Sequence, residues 1–210
     1  MPQLLSVNVG TPQQLALRRG RPMMSAIAKH PVTGRVRVEG VNVAGDAQAD
    51  LRVHGGPDKA VYAYAREDIA WWEEQLEREI PDGMFGENLT TEGLDVSGAL
   101  IGERWTIGTV ELEVCQPRQP CSKLGLRFEN LRMVKLFAQA SRPGAYLRII
   151  TEGELGAGDA IAVTHLPEDH AVTIAQVSDA ILLDDTLIPQ VVGATALPTD
   201  LREWMRAQAA

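Results

Sequence analysis

A chain of 210 residues, 45% of them hydrophobic, suffices for one cored domain with a small appendage. Its formal net charge of −8 argues against nucleic-acid binding, which calls for a basic face, and leaves room only for a local basic pocket. Two cysteines, Cys115 and Cys121, make no disulfide framework, no leader-like segment opens the chain and no apolar run reaches transmembrane length; a cytoplasmic, reducing compartment without membrane contact is expected.

Residues 3–10 read as a strand through Leu4, Leu5, Val7 and Val9. Met24–Lys29 is a second strand candidate, and Pro31-Val32-Thr33-Gly34 reads as a turn. Arg35–Glu39 alternates strictly, as a half-buried strand does. Ala60–Tyr64 alternates again, with Val61 and Ala63 on one side and two tyrosines on the other. Asp68–Ile80 sets Ile69, Trp72, Leu76 and Ile80 on one helical face, and Pro81 is expected to stop it. Gly102–Val114 holds two strands joined by a turn at Gly108-Thr109. A helix follows over Leu131–Ala140, and Ala145–Ile150 and Ala160–Val163 complete the strands.

Composition changes after Pro167. Thr173 can cap a helix running to Leu183, Leu187–Val192 is a second apolar stretch, and Pro198-Thr199-Asp200 opens a third helix. That last helix is expected to show one apolar face from Leu201, Trp204 and Met205. The division is therefore a main domain over 1–165 and a helical extension over 168–210. Three short helices cannot bury much alone, so they pack on the main body or on a partner.

Cys121 carries the strongest chemical signal. It lies in Gln116-Pro117-Arg118-Gln119-Pro120-Cys121-Ser122-Lys123, a proline-stiffened loop with two nearby cations. Positive charge near a thiol favours the thiolate, the form that binds metals and attacks electrophiles. Cys115 ends the run Val110, Leu112, Val114 and reads as structural. Two further polar loops accompany the thiol loop: Gly45–Lys59 and Phe85–Thr90. The Gly55-Gly56 pair allows positive φ and close approach of backbone amides to a ligand. Lys59 and Arg118 could hold an anionic group such as a phosphate. Taken singly, each cluster reads first as structure: His54-Gly55-Gly56 as a tight turn with an exposed histidine, Asp46 and Asp50 as turn residues, and Glu87 and Asn88 as caps of a turn. A mononuclear zinc site from His54, Cys121 and a carboxylate is a further reading, with no spacing that supports it strongly.

Four motifs, in order and spacing, resemble the MOSC domain, the C-terminal domain of molybdenum cofactor sulfurases, and most closely its stand-alone bacterial YiiM-like branch. They are Gly45-Asp46-Ala47-Gln48-Ala49-Asp50, His54-Gly55-Gly56-Pro57-Asp58-Lys59-Ala60, Phe85-Gly86-Glu87-Asn88-Leu89 and Gln116-Pro117-Arg118-Gln119-Pro120-Cys121. The resemblance covers roughly 1–165, and the tail resembles that branch's three-helix extension. It implies a mostly β (α+β) fold, a MOSC β-barrel with peripheral helices plus a small C-terminal three-helix extension. It implies a bound molybdenum cofactor (molybdopterin), with Cys121 as metal ligand and catalytic residue. Lys59, Arg118, Gly55, Gly56, Asn88, Glu87 and Lys123 become expected cofactor contacts, and His54 a proton relay.

The activity implied is reduction of N-hydroxylated compounds, such as hydroxylamino-purines and hydroxylamines, to amines. No dinucleotide fingerprint is present, so electrons are expected from a separate flavoprotein. An alternative is a cofactor carrier or sulfur-transfer protein using a Cys121 persulfide. The chain has no room for the pyridoxal-phosphate module of the sulfurases, which favours the reductase. A metal-free thiol redox sensor is a third reading, and a homodimer is left open.

Overall fold

The computed structural model describes residues 1–18, 20–49 and 55–208. The first half holds β1 (Gln3–Val9), β2 (Gln13–Arg18), β3 (Arg21–Ser25), β4 (His30–Val32), β5 (Val36–Glu39), β6 (Asn42–Val43), β7 (Val61–Ala65), α1 (Arg66–Leu76) and β8 (Leu89–Glu92). The rest holds β9 (Arg104–Ile107), β10 (Val110–Pro117), α2 (Ser122–Arg127), α3 (Met133–Gln139), β11 (Ala145–Thr151), β12 (Gly153–Leu155), β13 (Ile161–His165), α4 (Ile174–Leu182), α5 (Ile188–Val191) and α6 (Thr199–Gln208).

Eight strands form one sheet in the order β13-β9-β10-β11-β7-β8-β1-β4. Neighbours are antiparallel apart from β7 and β8, which run parallel. The sheet curls on itself. The amide of Ile161 donates to Pro2 and that of Leu4 to Asp159, and Gln3 bridges to Ala160, so the start of β1 meets the start of β13. The resulting barrel is filled by Leu4, Leu89, Trp105, Leu112 and Leu147, all fully buried. A smaller sheet, β12-β5-β6, and the β2-β3 hairpin complete the strands.

β7 explains how the barrel and its helices share one strand. Val61, Ala63 and Ala65 point into the barrel, while Tyr62 and Tyr64 point the other way. The tyrosines join Trp72 of α1, Phe85 and Phe137 of α3 in a second core. The Tyr64 ring stacks on Phe85 at 4.5 Å, and its hydroxyl accepts from the Trp72 indole at 2.9 Å. The tryptophan is thus a core anchor, as its helical spacing implies.

Thr173 caps α4 with a full capping box, exchanging hydrogen bonds with Gln176. Ile174, Val177, Ala180, Ile188, Val191 and Met205 are buried in the same cluster as the barrel residues. No described helix is long and apolar enough to cross a membrane.

Several local expectations are corrected. The strand expected over Met24–Lys29 is β3, which ends at Ser25 and pairs with β2, a strand the sequence did not signal. Pro31 and Val32 form no turn; they lie in β4, opposite Asn8 and Val7. β4 is an edge strand, where a proline costs the ladder no donor. The first helix ends at Leu76, well before Pro81, because Glu77 adopts a left-handed conformation with φ 50°. Glu73 then accepts the amide of Ile80 at 2.9 Å, and Ile80 returns to the core from outside the helix. α2 has no sequence signature: it is short and contains Gly125. α6 does not offer one apolar face, since Met205 is fully buried while Trp204 stays 45% exposed.

Candidate functional site

β10 delivers the thiol loop. The strand pairs antiparallel with β9 as far as Glu113 and with β11 as far as Pro117, and the chain then turns through Arg118–Pro120 into α2. Cys121 stands just before α2 with an extended backbone, half-buried and unpaired. It lines a cleft with Gly55, Lys59, Asn88, Arg118 and Lys123. Six residues expected at the site from the sequence therefore converge. Two do not reach the cleft: Gly56, which opens the short turn Pro57–Lys59 with φ 89°, and Glu87, which is fully buried. His54 lies outside the described residues, as does Asp50 of the first motif.

Arg118 reads as a loop cation in the sequence, yet the fold buries it to 6% exposure. Its guanidinium lies 5.5 Å from the Tyr62 ring and 5.3 Å from the Phe137 ring, both distances for cation–π contact. Its Nη1 is buried without a hydrogen-bond partner among the described residues. A native protein rarely leaves such a donor orphaned, so this N–H is open to an acceptor that the described residues do not supply. Burial pushes the Tyr62 phenol well above its ordinary range, against the opposing pull of Arg118.

Behind the cleft lies a polar network that the sequence did not reveal. Lys29 and Asp46 form a buried ion pair, and both line the cleft. Asp46 also accepts from the Gly10 amide at 2.8 Å and from the Asn88 amide group at 3.0 Å. Asn88 is clamped in turn by the Tyr62 amide and the Asn8 carbonyl, each at 3.2 Å. It is thus a brace between β1, β7 and the Asp46 loop. Burial lowers the Lys29 pKa, with Asp46 opposing the shift. The signal for Lys29 was faint: a lone cation closing the apolar run Ala26-Ile27-Ala28.

Glu87 sits one residue behind the cleft wall. Its Oε1 accepts from the Gly83 amide at 2.5 Å and from Thr90 at 3.2 Å, and its Oε2 has no partner. Burial raises its pKa to about 7, opposed by hydrogen bonds from its own amide, the Gly83 amide and Thr90. Gly86 passes this corner at φ 80°, where a Cβ would meet Ile27 Cγ1 at 2.9 Å.

Cys115 is structural, as its strand position implies. It is fully buried, its thiol contacts the carbonyls of Asp58 and Tyr146, and burial pushes its pKa well up. Among the described residues no group of three or more His, Cys, Asp or Glu side chains could hold a metal. The zinc reading rested on His54, which lies outside the described residues. One thiol can still ligate a metal that arrives with other ligands.

Comparison with known proteins agrees with this architecture. The family model for the MOSC domain matches residues 50–162. Protein YiiM of Escherichia coli is 32% identical over 208 residues, covering 95% of this chain and 89% of that protein. An uncharacterized protein of Bacillus subtilis, YflK, is 41% identical over 155 residues, covering 74% of this chain and 70% of its own. A Gibberella moniliformis protein named "Reductase" is 34% identical over 168 residues, 78% of this chain but 29% of that longer protein. The crystal structure of YiiM from Geobacillus stearothermophilus superposes with a TM-score of 0.81 at 30% identity, covering all of both chains. A barrel with a thiol-bearing cleft and a helical tail, matched along its full length, places the chain in the MOSC domain family, in its YiiM-like branch.

Proposed function

We propose that the protein is a molybdenum cofactor-dependent oxidoreductase that reduces N-hydroxylated compounds to amines. The observation that carries the reading is one cleft holding the Cys121 thiol beside buried Arg118, whose Nη1 lacks a partner among the described residues. The donor set suits the pterin molybdenum cofactor. A soft thiolate matches a metal that already carries the pterin sulfurs, and the cofactor's phosphate is an acceptor for an orphaned guanidinium. A relative named "Reductase" supports the redox assignment at the level of the family.

In this reading Cys121 ligates the metal, while Arg118, Lys59 and Lys123 hold the anionic arm. Gly55 lets the backbone come close, and Asn88 keeps the Asp46 loop in place. When bound, the cofactor supplies the two-electron oxygen-removal chemistry. The chain's own task is to orient the group and to supply protons near neutral pH. Behind the wall Glu87, its pKa raised by burial to about 7, exchanges its proton near neutral pH, and His54 is proposed as the relay. A separate flavoprotein supplies the electrons.

The test is expression in a host that makes the cofactor, followed by molybdenum and pterin analysis and turnover of an N-hydroxylated purine with an artificial electron donor. Bound cofactor with turnover supports the reductase. Bound cofactor without turnover favours the carrier or sulfur-transfer reading. Protein that takes up neither molybdenum nor pterin overturns both and leaves the thiol sensor.

A further inference from the structure

Cys121 opens onto a second cleft. Its walls are Gln116 and Pro117 at the end of β10, Pro120 of the thiol loop, and Asp200, Leu201 and Trp204 of α6. Lys59, Gln119, Cys121 and Tyr146 line both clefts, so the thiol sits at their junction. The two sides differ in chemistry. The first collects Lys59, Arg118 and Lys123 beside the Lys29–Asp46 ion pair, a surface for an anion. The second offers two proline rings, a leucine and an indole, with amide and carboxylate groups between them.

Trp204 is the informative residue. Trp72 and Trp105 are buried in cores, yet Trp204 keeps 45% of its surface exposed. It is held there by its neighbour: Met205 is fully buried in the barrel's cluster, which fixes the rotation of α6 and turns the preceding residue, Trp204, towards the cleft. An indole held in the same cleft as the thiol by a buried anchor is a preformed stacking face.

On the basis of the function proposed above, we infer that the second cleft takes the substrate's ring and that Trp204 is the specificity-determining residue, stacking planar N-hydroxylated heteroaromatics against α6. Leu201 and Pro120 form the edges of the slot. Gln116, Gln119 and Asp200 supply donors and acceptors for ring nitrogens and exocyclic groups. The N-hydroxyl group then points to the junction at Cys121. Small aliphatic hydroxylamines reach the junction without using the indole.

The experiment compares wild type, Trp204→Ala and Trp204→Phe as cofactor-loaded proteins, with N-hydroxylaminopurine and N-methylhydroxylamine as substrates and an artificial donor. Purine binding is also followed by the fluorescence that Trp204 contributes, taken as the difference between wild type and Trp204→Phe. Trp204→Ala should lower the purine-to-aliphatic ratio of kcat/KM about tenfold, the loss expected when a base loses an aromatic partner, chiefly through KM. Trp204→Phe should keep most of the ratio. An unchanged ratio overturns the inference, as does an equal loss on both substrates or a change of oligomeric state that accounts for the loss. If wild type turns over neither compound yet the purine quenches Trp204, the stacking site stands and the reductase reading falls. If the purine does not quench it, the inference falls whatever the turnover.

Discussion

The Cys115 thiol lies 3.0 Å from the main-chain carbonyl of Asp58, and the Gln116 side chain donates to the same oxygen at 2.9 Å. Arg148 of β11 pairs with the Asp58 carboxylate and with Glu113 of β10. The turn that carries Lys59 is therefore pinned to two barrel strands, one of which leads directly to Cys121. The two cysteines divide the work: one fixes a loop, the other faces the cleft.

Their substitutions should separate cleanly. Cys121→Ser is expected to abolish turnover while changing stability by no more than about 0.5 kcal/mol, since the residue is half-buried and its thiol holds nothing in the core. Cys115→Ser is expected to keep activity. A hydroxyl still donates to Asp58 but fills less space, at a cost of roughly 1 kcal/mol. Urea unfolding and turnover, measured on both variants, check the pair; full activity in Cys121→Ser would remove it from the site.

Arg118→Ala should lose bound molybdenum and pterin, read by elemental and pterin analysis. Because the guanidinium is buried between Tyr62 and Phe137, this variant should also lose roughly 1–3 kcal/mol of stability, unlike a surface cation. Lys59→Ala is expected to lower cofactor content as well. Arg118→Lys keeps the charge but not the planar fork, so it should restore stability more than cofactor retention. Full occupancy in both alanine variants would place the phosphate elsewhere.

Stability should fall as pH rises from about 4.5 to about 7 through Glu87. In that window the folded chain holds a proton on Glu87 that the unfolded chain, with an ordinary value of 4.5, has released. The contribution is full below 4.5 and is gone above 7; at about 1.4 kcal/mol per unit it amounts to roughly 3 kcal/mol. Asp82 adds to the upward shift, while the Gly83 amide and Thr90 oppose it, and Lys29 and Arg127 lie within electrostatic reach. Glu87→Gln mimics the protonated form and should flatten the dependence of Tm on pH across that window. A slope unchanged in this variant would assign the titration to another group.

Asp46→Asn should destabilise by about 3–5 kcal/mol, because Lys29 is left buried with a charge and no counter-charge. Pairing it with Lys29→Met should recover part of that loss. A double-mutant cycle by chemical denaturation measures the coupling, and simple additivity would show that the ion pair contributes nothing beyond its separate members.

The strands of the barrel were legible where hydrophobic alternation is strong, as in Val36–Glu39, Val61–Ala65 and the pair around Gly108-Thr109. The Thr173 cap was legible because a capping box is a local exchange between residues three apart. The motifs brought together in one cleft were likewise visible as motifs, and Cys115 could be told from Cys121 by its place at the end of a strand. Contacts distant in sequence could not be read this way. Lys29 and Asp46 are seventeen residues apart and meet through the curl of the chain. Arg118 is buried by Tyr62 and Phe137, which come from a different strand and a helix. Glu87 acquires its raised pKa from desolvation, which has no local sequence code. The rotation of α6 was set by Met205 entering a core built from residues across the barrel, so only the tertiary structure decided that Trp204 would line a cleft shared with the thiol. Local propensity and periodicity determined which segments form elements; burial, a property of the whole packed chain, decided what the polar side chains within them can do.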